Sequence, residues 1–237
     1  MKMHELRKLS EIYVFCDYKL MKKRIVCTLA GLLVGLSMIS SAWAMPDYHA
    51  ELLSIQQTWA EIKYHTPKAE RRDAFASLLT KSEAFQHMYP DRADAILWSA
   101  VVLYTFAGEV RGIKALGMVK QSYHMLQRAA KINPLASDGF IHTALGQLYY
   151  KVPGWPVAFG NDAKAENYLR KGIELNPDGL DANYFMGDYL LRKKQYRQAA
   201  IHLRRAIQAP ARTQRPTADA GRKADALKLL RLAERHI

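Results

Sequence analysis

The side chains in this sequence that could perform acid–base chemistry are two carboxylates beside unusual loops. Glu109 lies in TFAGEVRGIKALGM, residues 105–118, and Asp162 ends VPGWPVAFGND, residues 152–162. Two carboxylates that flank one cleft can act as a general acid and a general base. Capping and solvation account for both side chains more simply, and we expect Asp162 to cap the helix that follows it.

Residue types for other chemistry are not arranged as catalysis or metal binding requires. The sequence contains no HExxH, GxSxG or Walker A motif, and its histidines lack the spacing of metal ligands. Both cysteines, Cys16 and Cys27, lie in the first 44 residues, which we expect to be removed on export. The sequence therefore predicts no enzymatic activity, no metal and no cofactor, and it favours binding.

The first 44 residues contain the three parts of a secretory signal peptide in order. A basic segment at 22–24 precedes the apolar run IVCTLAGLLVGL at 25–36, and the small-x-small site AWA ends at Ala44. We predict cleavage after Ala44, with Met21 as the true start and residues 1–20 as a start-site artefact. A retained membrane anchor is the alternative, which the shortness of the apolar run disfavours.

Positive charge is concentrated at the end of the folded domain, residues 45–237. Residues 192–237 contain thirteen Lys and Arg against three Asp and Glu, a net charge of +10, whereas residues 45–191 are near −1. In an exported protein, a basic end can contact anionic lipid, a cell-wall polymer or an acidic partner, and a solvated helix face is the simpler interpretation. A cysteine-free exported domain suits the bacterial periplasm, where nucleic acid is not an expected partner.

Apolar residues recur with a helical period almost throughout the domain, and no alternating strand pattern is present. The pattern predicts helices at roughly 48–64, 70–88, 92–107, 114–132, 137–151, 162–175, 180–193, 195–208 and 217–236. We expect prolines to end four of these helices, and their spacings of 44, 43 and 33 residues are typical of stacked helical hairpins. These prolines are Pro90, Pro134, Pro177 and Pro210. The predicted fold is an all-α helical-hairpin solenoid of about four hairpins with a C-terminal capping helix.

Residues 180–210, LDANYFMGDYLLRKKQYRQAAIHLRRAIQAP, resemble a tetratricopeptide repeat. Gly187 takes the small position where the two helices of a repeat approach closely. Three residues of the second helix have the spacing needed to pack back on the first. They are Ala199, Leu203 and Ala206.

The other hairpins match the repeat if their inner turns are longer. In the third unit Gly146 takes the small position and Ala165 begins the second-helix set, with residues 152–162 between them. The second unit has Ala100 as its small residue and a still longer inner segment at 105–118. The enlarged turns should lie side by side, as the lip of a binding site or, in the interpretation that we prefer, as a small satellite core. The residues brought together would be Trp155, Phe159, Phe106 and Ile113.

The resemblance implies that the first helices of the hairpins line a concave groove. Residues on one face of the fourth unit's first helix are expected there, together with tyrosines of the second and third units and aromatic residues of the long loop. The predicted binding residues are Tyr104, Tyr150, Trp155, Phe159, Asp181, Tyr184, Asp188 and Arg192. Aromatic residues at helical spacing are also what a hydrophobic core requires, so both interpretations stay open here.

The whole mature chain is also similar to the T-component proteins of tripartite ATP-independent periplasmic (TRAP) transporters, in its helical repeats and in the turn GWPVAFG. That resemblance implies a periplasmic tetratricopeptide protein that helps to deliver a ligand and forms homo-oligomers. The predicted function is an exported, non-enzymatic module that binds a protein, a peptide or a small ligand. The alternative is a cell-envelope scaffold that uses its basic C-terminal end. A cell-wall enzyme is disfavoured because no catalytic constellation is present.

Overall fold

The computed structural model describes residues 47–110 and 112–237, so the predicted signal peptide and start site lie outside the described residues. Within this part of the chain there are nine helices and one isolated β-bridge, between Gly154 and Gly160. The helices are α1 (Tyr48–Tyr64), α2 (Arg71–Met88), α3 (Ala93–Val110), α4 (Gly112–Ile132), α5 (Phe140–Lys151), α6 (Asp162–Leu175), α7 (Leu180–Arg192), α8 (Tyr196–Gln208) and α9 (Pro216–Glu234).

The first eight helices pack as four consecutive hairpins, each helix against its successor. The first helices of the hairpins form an inner layer, in which α1 contacts α3 and α5 contacts α7. Between α3 and α5, the rings of Trp98 and Phe140 stack with centroids 6.1 Å apart. The all-α helical-hairpin solenoid predicted from the sequence is confirmed.

Each second helix of a hairpin ends two residues before a proline. Proline disfavours helical backbone at the residue before it and has no N–H to donate, so a helix stops there. The pairs of last helical residue and proline are Met88 and Pro90, Ile132 and Pro134, Leu175 and Pro177, and Gln208 and Pro210.

Gly187 and Gly146 each lie at the closest contact between the two helices of one hairpin, α7 with α8 and α5 with α6. A Cβ on Gly187 would lie 2.6 Å from the Leu203 side chain, and a Cβ on Gly146 would lie 2.7 Å from that of Leu169. Both leucines are buried. Glycine therefore permits the close approach of helix axes that the repeat resemblance predicts.

The predicted long inner segment at 105–118 is wrong. α3 continues to Val110 and α4 begins at Gly112, so most of the segment extends two helices. Gly112 has a φ of 69°, a left-handed conformation that breaks the helical path. Ile113 beside it is 88% exposed and joins no satellite core.

The core is centred on α3, which is buried along most of its length. By length and composition, with a mean hydropathy of 1.3, α3 could cross a membrane, but 61% of it is buried inside the fold. Trp59 of α1 packs edge-on against Trp98 of α3, with ring centroids 6.2 Å apart. α3 is therefore explained as the central helix of this core.

The ninth helix caps the last hairpin and also crosses to the first. α9 packs along α8, as predicted for a capping helix, and it contacts α7 and α1 as well. A Cβ on Gly221 would meet the ring of Tyr64 on α1. Near this crossing the Thr217 hydroxyl donates to Glu61 Oε1 at 2.6 Å. The first and last hairpins are thus joined across the inner layer.

Candidate binding groove and cavity

Arg222 of α9 lies within the predicted groove. Its side chain is 5% exposed, and its Nε donates to Asp181 Oδ1 at 3.0 Å. The guanidinium also lies 4.5 Å from the ring centroid of Tyr184 and 4.7 Å from that of Phe185. The groove face of α7 therefore binds a residue of its own chain.

A second guanidinium holds the same carboxylate. Arg212 Nη1 donates to Asp181 Oδ2 at 2.9 Å, and Arg212 Nε and Nη2 donate to Asp219 Oδ1 at 2.8 and 2.6 Å. Burial would raise the pKa of Asp181, but the charges of Arg222 and Arg212 outweigh burial and hold that pKa well below its usual range. Asp181 is therefore a charged partner that fixes α9 and its preceding segment.

The inward face of α9 combines small residues with two charged ones. The spacing of three or four residues places them on one side of the helix. They are Ala218, Asp219, Arg222, Ala226, Leu230 and Ala233. Alanine lets the helix backbone approach its neighbours, and the two charged side chains meet opposite charges there.

Other predicted binding residues are also engaged inside the fold. The Tyr150 hydroxyl donates to Asp188 Oδ2 at 2.8 Å, and Lys151 Nζ lies 2.6 Å from the same oxygen. The Tyr104 hydroxyl donates to Gln147 Oε1 at 3.1 Å. Burial raises the pKa of Tyr104 and Tyr150 above the ordinary tyrosine value, so both hydroxyls stay neutral donors near pH 7.

Tyr184 also has a partner within the chain, because its ring lies against the guanidinium of Arg222. Burial raises the pKa of Tyr184 to about 12. The structure thus gives partners within the chain to five of the six predicted binding residues that lie on helices. They are Tyr104, Tyr150, Asp181, Tyr184 and Asp188.

The long loop between α5 and α6 separates its two aromatic residues. Phe159 stacks on Tyr123 with centroids 4.6 Å apart and meets the ring of Tyr149 edge-on at 5.8 Å. Trp155 is 90% exposed. Phe159 thus packs against the main core, and the predicted satellite core of Trp155, Phe159, Phe106 and Ile113 is wrong because Trp155 and Ile113 face outward.

Arg192, the last predicted residue, lies at the edge of the same loop. It lines a cavity of about 430 Å³ together with Tyr149, Lys151 and the two ends of the loop. A Cβ on Gly160 would meet the carbonyl oxygen of Val152, so glycine is needed where the loop closes on itself.

The predicted cap of α6 is wrong by one residue. Asn161 Oδ1 accepts from the backbone N–H of Lys164 at 2.9 Å, which makes Asn161 the cap. Asp162 is the first helical residue and pairs with Lys193 Nζ at 2.9 Å. This exposed ion pair explains the presence of Asp162 without a role in acid–base chemistry.

An open cavity of about 470 Å³ lies beside the start of α9, and we refer to it as the Arg215 cavity. Its walls come from α1, from α5 and the turn before it, from α7 and the turn before it, and from the segment between α8 and α9. Apolar and charged side chains both line it. They include Phe140, Leu180, Asp138, Asp178, Asp181, Arg212 and Arg215.

The Arg215 cavity can form hydrogen bonds and ion pairs with a ligand and contact its apolar parts. In residues 47–110 and 112–237, no three His, Cys, Asp or Glu side chains are grouped so that they could hold a metal ion.

The roles of three arginines, Arg212, Arg215 and Arg222, were not predicted from the sequence. Their place in the basic C-terminal segment predicted a solvated or anion-binding surface, but Arg222 is buried against Asp181. The signal that could have revealed this is the spacing of Asp219 and Arg222 among alanines on one face of α9. The two charges interrupt the apolar pattern by which buried helix faces are usually found.

Solved structures similar to this chain include the following two. A thermophilic tetratricopeptide repeat protein of Thermus thermophilus, TTC0263, is 18% identical, with a TM-score of 0.42, over 77% of this chain and 100% of the other. PilF of Pseudomonas aeruginosa is 18% identical, with a TM-score of 0.33, over 78% of this chain and 93% of PilF. No protein-family model and no curated protein matches the sequence.

Proposed function

We propose that the protein is a non-enzymatic binding module that receives a segment of another protein in the Arg215 cavity. The observation that carries this proposal is the contrast between two neighbouring surfaces. α9 occupies the groove face of α7 through Arg222, whereas the cavity of about 470 Å³ beside it is open.

The lining of the cavity suits a polypeptide. Its volume falls within the range of about 300–1,000 Å³ that is usual for ligand sites. The exposed carboxylates of Asp138 and Asp178 can accept hydrogen bonds from N–H groups, while Phe140 and Leu180 offer apolar contacts. A peptide segment supplies both kinds of group along its length.

The test is site-specific photo-crosslinking in the cells that make the protein. A photoreactive amino acid replaces Thr213, an exposed residue of the cavity wall, and in a matched control it replaces Arg72, an exposed residue of α2. We expect a discrete protein adduct from position 213 that is missing from position 72. The same adducts from both positions, or none from position 213, would contradict the proposal.

We also propose that the module works in the periplasm after removal of residues 1–44. The support is the basic, apolar and AWA order at the N-terminus. Mass spectrometry of the protein from its cells should then find Met45 as the first residue, and a chain that retains residues 25–36 would contradict export with cleavage. Delivery of a ligand to a TRAP transporter is a finer form of the proposal, supported by the sequence resemblance of the repeats and the GWPVAFG turn.

A cell-envelope scaffold is the second candidate, and exposed arginines on α8, on α9 and directly after α9 favour it. None of them has an ion pair with a carboxylate among the described residues. They are Arg197, Arg205, Arg231 and Arg235. A scaffold of this kind should bind anionic vesicles with a steep salt dependence, and changing these arginines to glutamine should abolish that binding. Arg222, which is buried, should be left unchanged in this test.

A further inference from the structure

Arg215 is a largely buried cation without a hydrogen-bonding partner. Its Nε is buried and unsatisfied, and no hydrogen bond or ion pair joins its guanidinium to any other described residue. By contrast, Arg212 and Arg222 both bond to Asp181. Burying a charge without a partner costs folding free energy, so this arrangement needs an explanation.

The charges around Arg215 do not balance. Three guanidinium groups, of Arg212, Arg215 and Arg222, share two largely buried carboxylates, Asp181 and Asp219. Burial lowers the pKa of Arg215 to about 10, although the charge of Asp181 opposes this shift. One positive charge in this cluster is therefore left uncompensated, and it belongs to Arg215.

The guanidinium is held in a fixed place by an aromatic ring. Its central carbon lies 4.8 Å from the ring centroid of Trp98, which is 1% exposed. Trp98 in turn stacks on Phe140, and Phe140 lines the Arg215 cavity. A cation stacked on a buried indole is positioned before a ligand arrives, which lowers the ordering cost of binding.

From this geometry we infer that Arg215 is the anchor for a carboxylate group of the ligand that enters the cavity. The guanidinium is planar and presents paired N–H donors that match the two oxygens of a carboxylate. The inference rests on the proposed function and names the chemistry by which a partner is recognised.

A carboxylate fits this cavity better than a polyanion such as a nucleotide phosphate. Asp138, Asp178 and Asp181 line the same cavity and would repel a second or third negative charge. A monoanion meets less repulsion than a polyanion does, and N–H donors or apolar groups on its remaining atoms can contact the aspartates and Phe140. A free small organic acid and the carboxylate end of a polypeptide share this chemistry.

The test measures binding of benzoate to the full chain, with benzamide as its neutral match of the same shape. Saturation-transfer NMR follows both ligands on the wild type, on Arg215→Gln and on the control Arg231→Gln, which changes an exposed arginine of α9. We expect benzoate to bind at least about tenfold more tightly than benzamide, because a hydrogen-bonded ion pair is lost with the charge. Arg215→Gln should weaken benzoate by about the same factor, and Arg231→Gln should leave it unchanged.

Thermal unfolding of Arg215→Gln shows whether Arg215 contributes to the stability of the fold. Because the guanidinium forms no hydrogen bond or ion pair with the described residues, the variant should melt at or above the wild-type temperature. A clearly lower melting temperature would mean that Arg215 serves the fold, and this would overturn the inference. Equal benzoate affinity of wild type and Arg215→Gln, or no benzoate binding at all, would overturn it too.

A tripeptide, glycyl-glycyl-phenylalanine, and its C-terminal amide distinguish the two sources of the carboxylate. Binding of the free acid and not of the amide supports a polypeptide end. If benzoate binds and neither tripeptide does, the ligand is a small organic acid. The carboxylate site is then supported, and the proposal that this cavity receives a segment of another protein is contradicted. Conversely, if the photo-crosslink from position 213 persists unchanged in Arg215→Gln, the proposed function stands and the carboxylate anchor is wrong.

Discussion

Asp181 is the residue on which the closed groove depends most. It is largely buried, and it accepts hydrogen bonds from Arg222 on α9 and from Arg212 in the segment that precedes α9. Removal of one member of a buried ion pair leaves the other charge without compensation, which costs more than the pair contributes to stability. Single substitutions at this carboxylate should therefore have large effects.

Asp181→Asn should lower the free energy of unfolding at pH 7 by about 3 kcal/mol, because two guanidinium groups lose their shared charge. Urea denaturation measures this, with Asp178→Asn at an exposed position as the matched control, expected within about 0.5 kcal/mol of wild type.

The pKa of Asp181 is depressed in the folded state, so its stabilisation is present above about pH 4 and is lost as the pH falls below that. The gap between variant and wild type should narrow over that range, and a gap independent of pH would contradict this account.

Lys63 should make stability rise with pH. Its Nζ lies 5.0 Å from the ring centroid of Trp59 without an ion pair among the described residues, and burial, assisted by the charge of Arg222, lowers its pKa to about 7. The unfolded chain holds this proton up to about pH 10, so unfolding takes up a proton between about pH 7 and 10. The free energy of unfolding should therefore increase by about 2 kcal/mol from pH 7 to pH 9.

Lys63→Met should remove this rise, because the variant keeps the apolar stem and loses the titrating group. Lys68→Met, at an exposed position, is the matched control and should keep the rise. Urea denaturation at pH 7 and pH 9 compares the three proteins. A wild type whose stability is flat over this interval would show that Lys63 has a normal solvated environment.

At the scale of elements, the α3–α4 hairpin shows why glycine is an ambiguous signal. The segment 105–118, predicted to be a long inner turn, contains Gly108, Gly112 and Gly117, yet Gly108 and Gly117 lie inside helices with open space around them. Gly112 takes a left-handed conformation, with a φ of 69°. Sequence alone does not tell a glycine that is needed for its backbone angle from one that the helix merely tolerates, since both cost helix propensity.

Gly117→Ala should raise the free energy of unfolding by about 1 kcal/mol, because alanine restricts the unfolded chain and fits the open helix surface. Gly112→Ala should lower it by about 1 kcal/mol, since a Cβ is disfavoured at a positive φ. The two variants, compared by urea denaturation, are matched in chemistry and differ in backbone conformation. Equal effects of the two substitutions would mean that the hairpin tip is not built as described.

The helices that could be predicted were those with strong local signals. Proline two residues after each second helix, and Gly187 and Gly146 at close contacts, determine the hairpins through interactions within one repeat. The role of α9 could not be predicted in the same way, because Asp219 and Arg222 look like surface residues until their partner Asp181 is known. Pairing between distant segments leaves no periodic pattern in the sequence.

At the scale of the whole molecule, the same difficulty affected the candidate site. The resemblance to tetratricopeptide repeats correctly grouped Tyr184, Asp188 and Tyr150 on one surface. It could not reveal that a helix beyond the repeats would cover that surface. As a result, the open surface is the Arg215 cavity and not the predicted groove. The walls of this cavity come from four separate segments of the chain.

The measurement that tests this account most directly is a distance between α1 and α9. Glu61 and Thr217, joined by a 2.6 Å hydrogen bond, are both changed to cysteine in a chain whose Cys16 and Cys27 are replaced by serine. A short bifunctional thiol reagent should then cross-link positions 61 and 217 within one monomer. The control pair places the second cysteine at Arg235, about 27 Å further along the α9 axis, and should not cross-link.

Efficient cross-linking of positions 61 and 217 alone, with an unchanged circular dichroism spectrum, is the predicted result. It would show that α9 crosses to the first hairpin and closes the groove. Failure of that pair to react, or equal reaction of both pairs, would mean that α9 does not rest on α1. The groove residues Asp181, Tyr184 and Asp188 would then be open to a partner, and the account given for the Arg215 cavity would be contradicted.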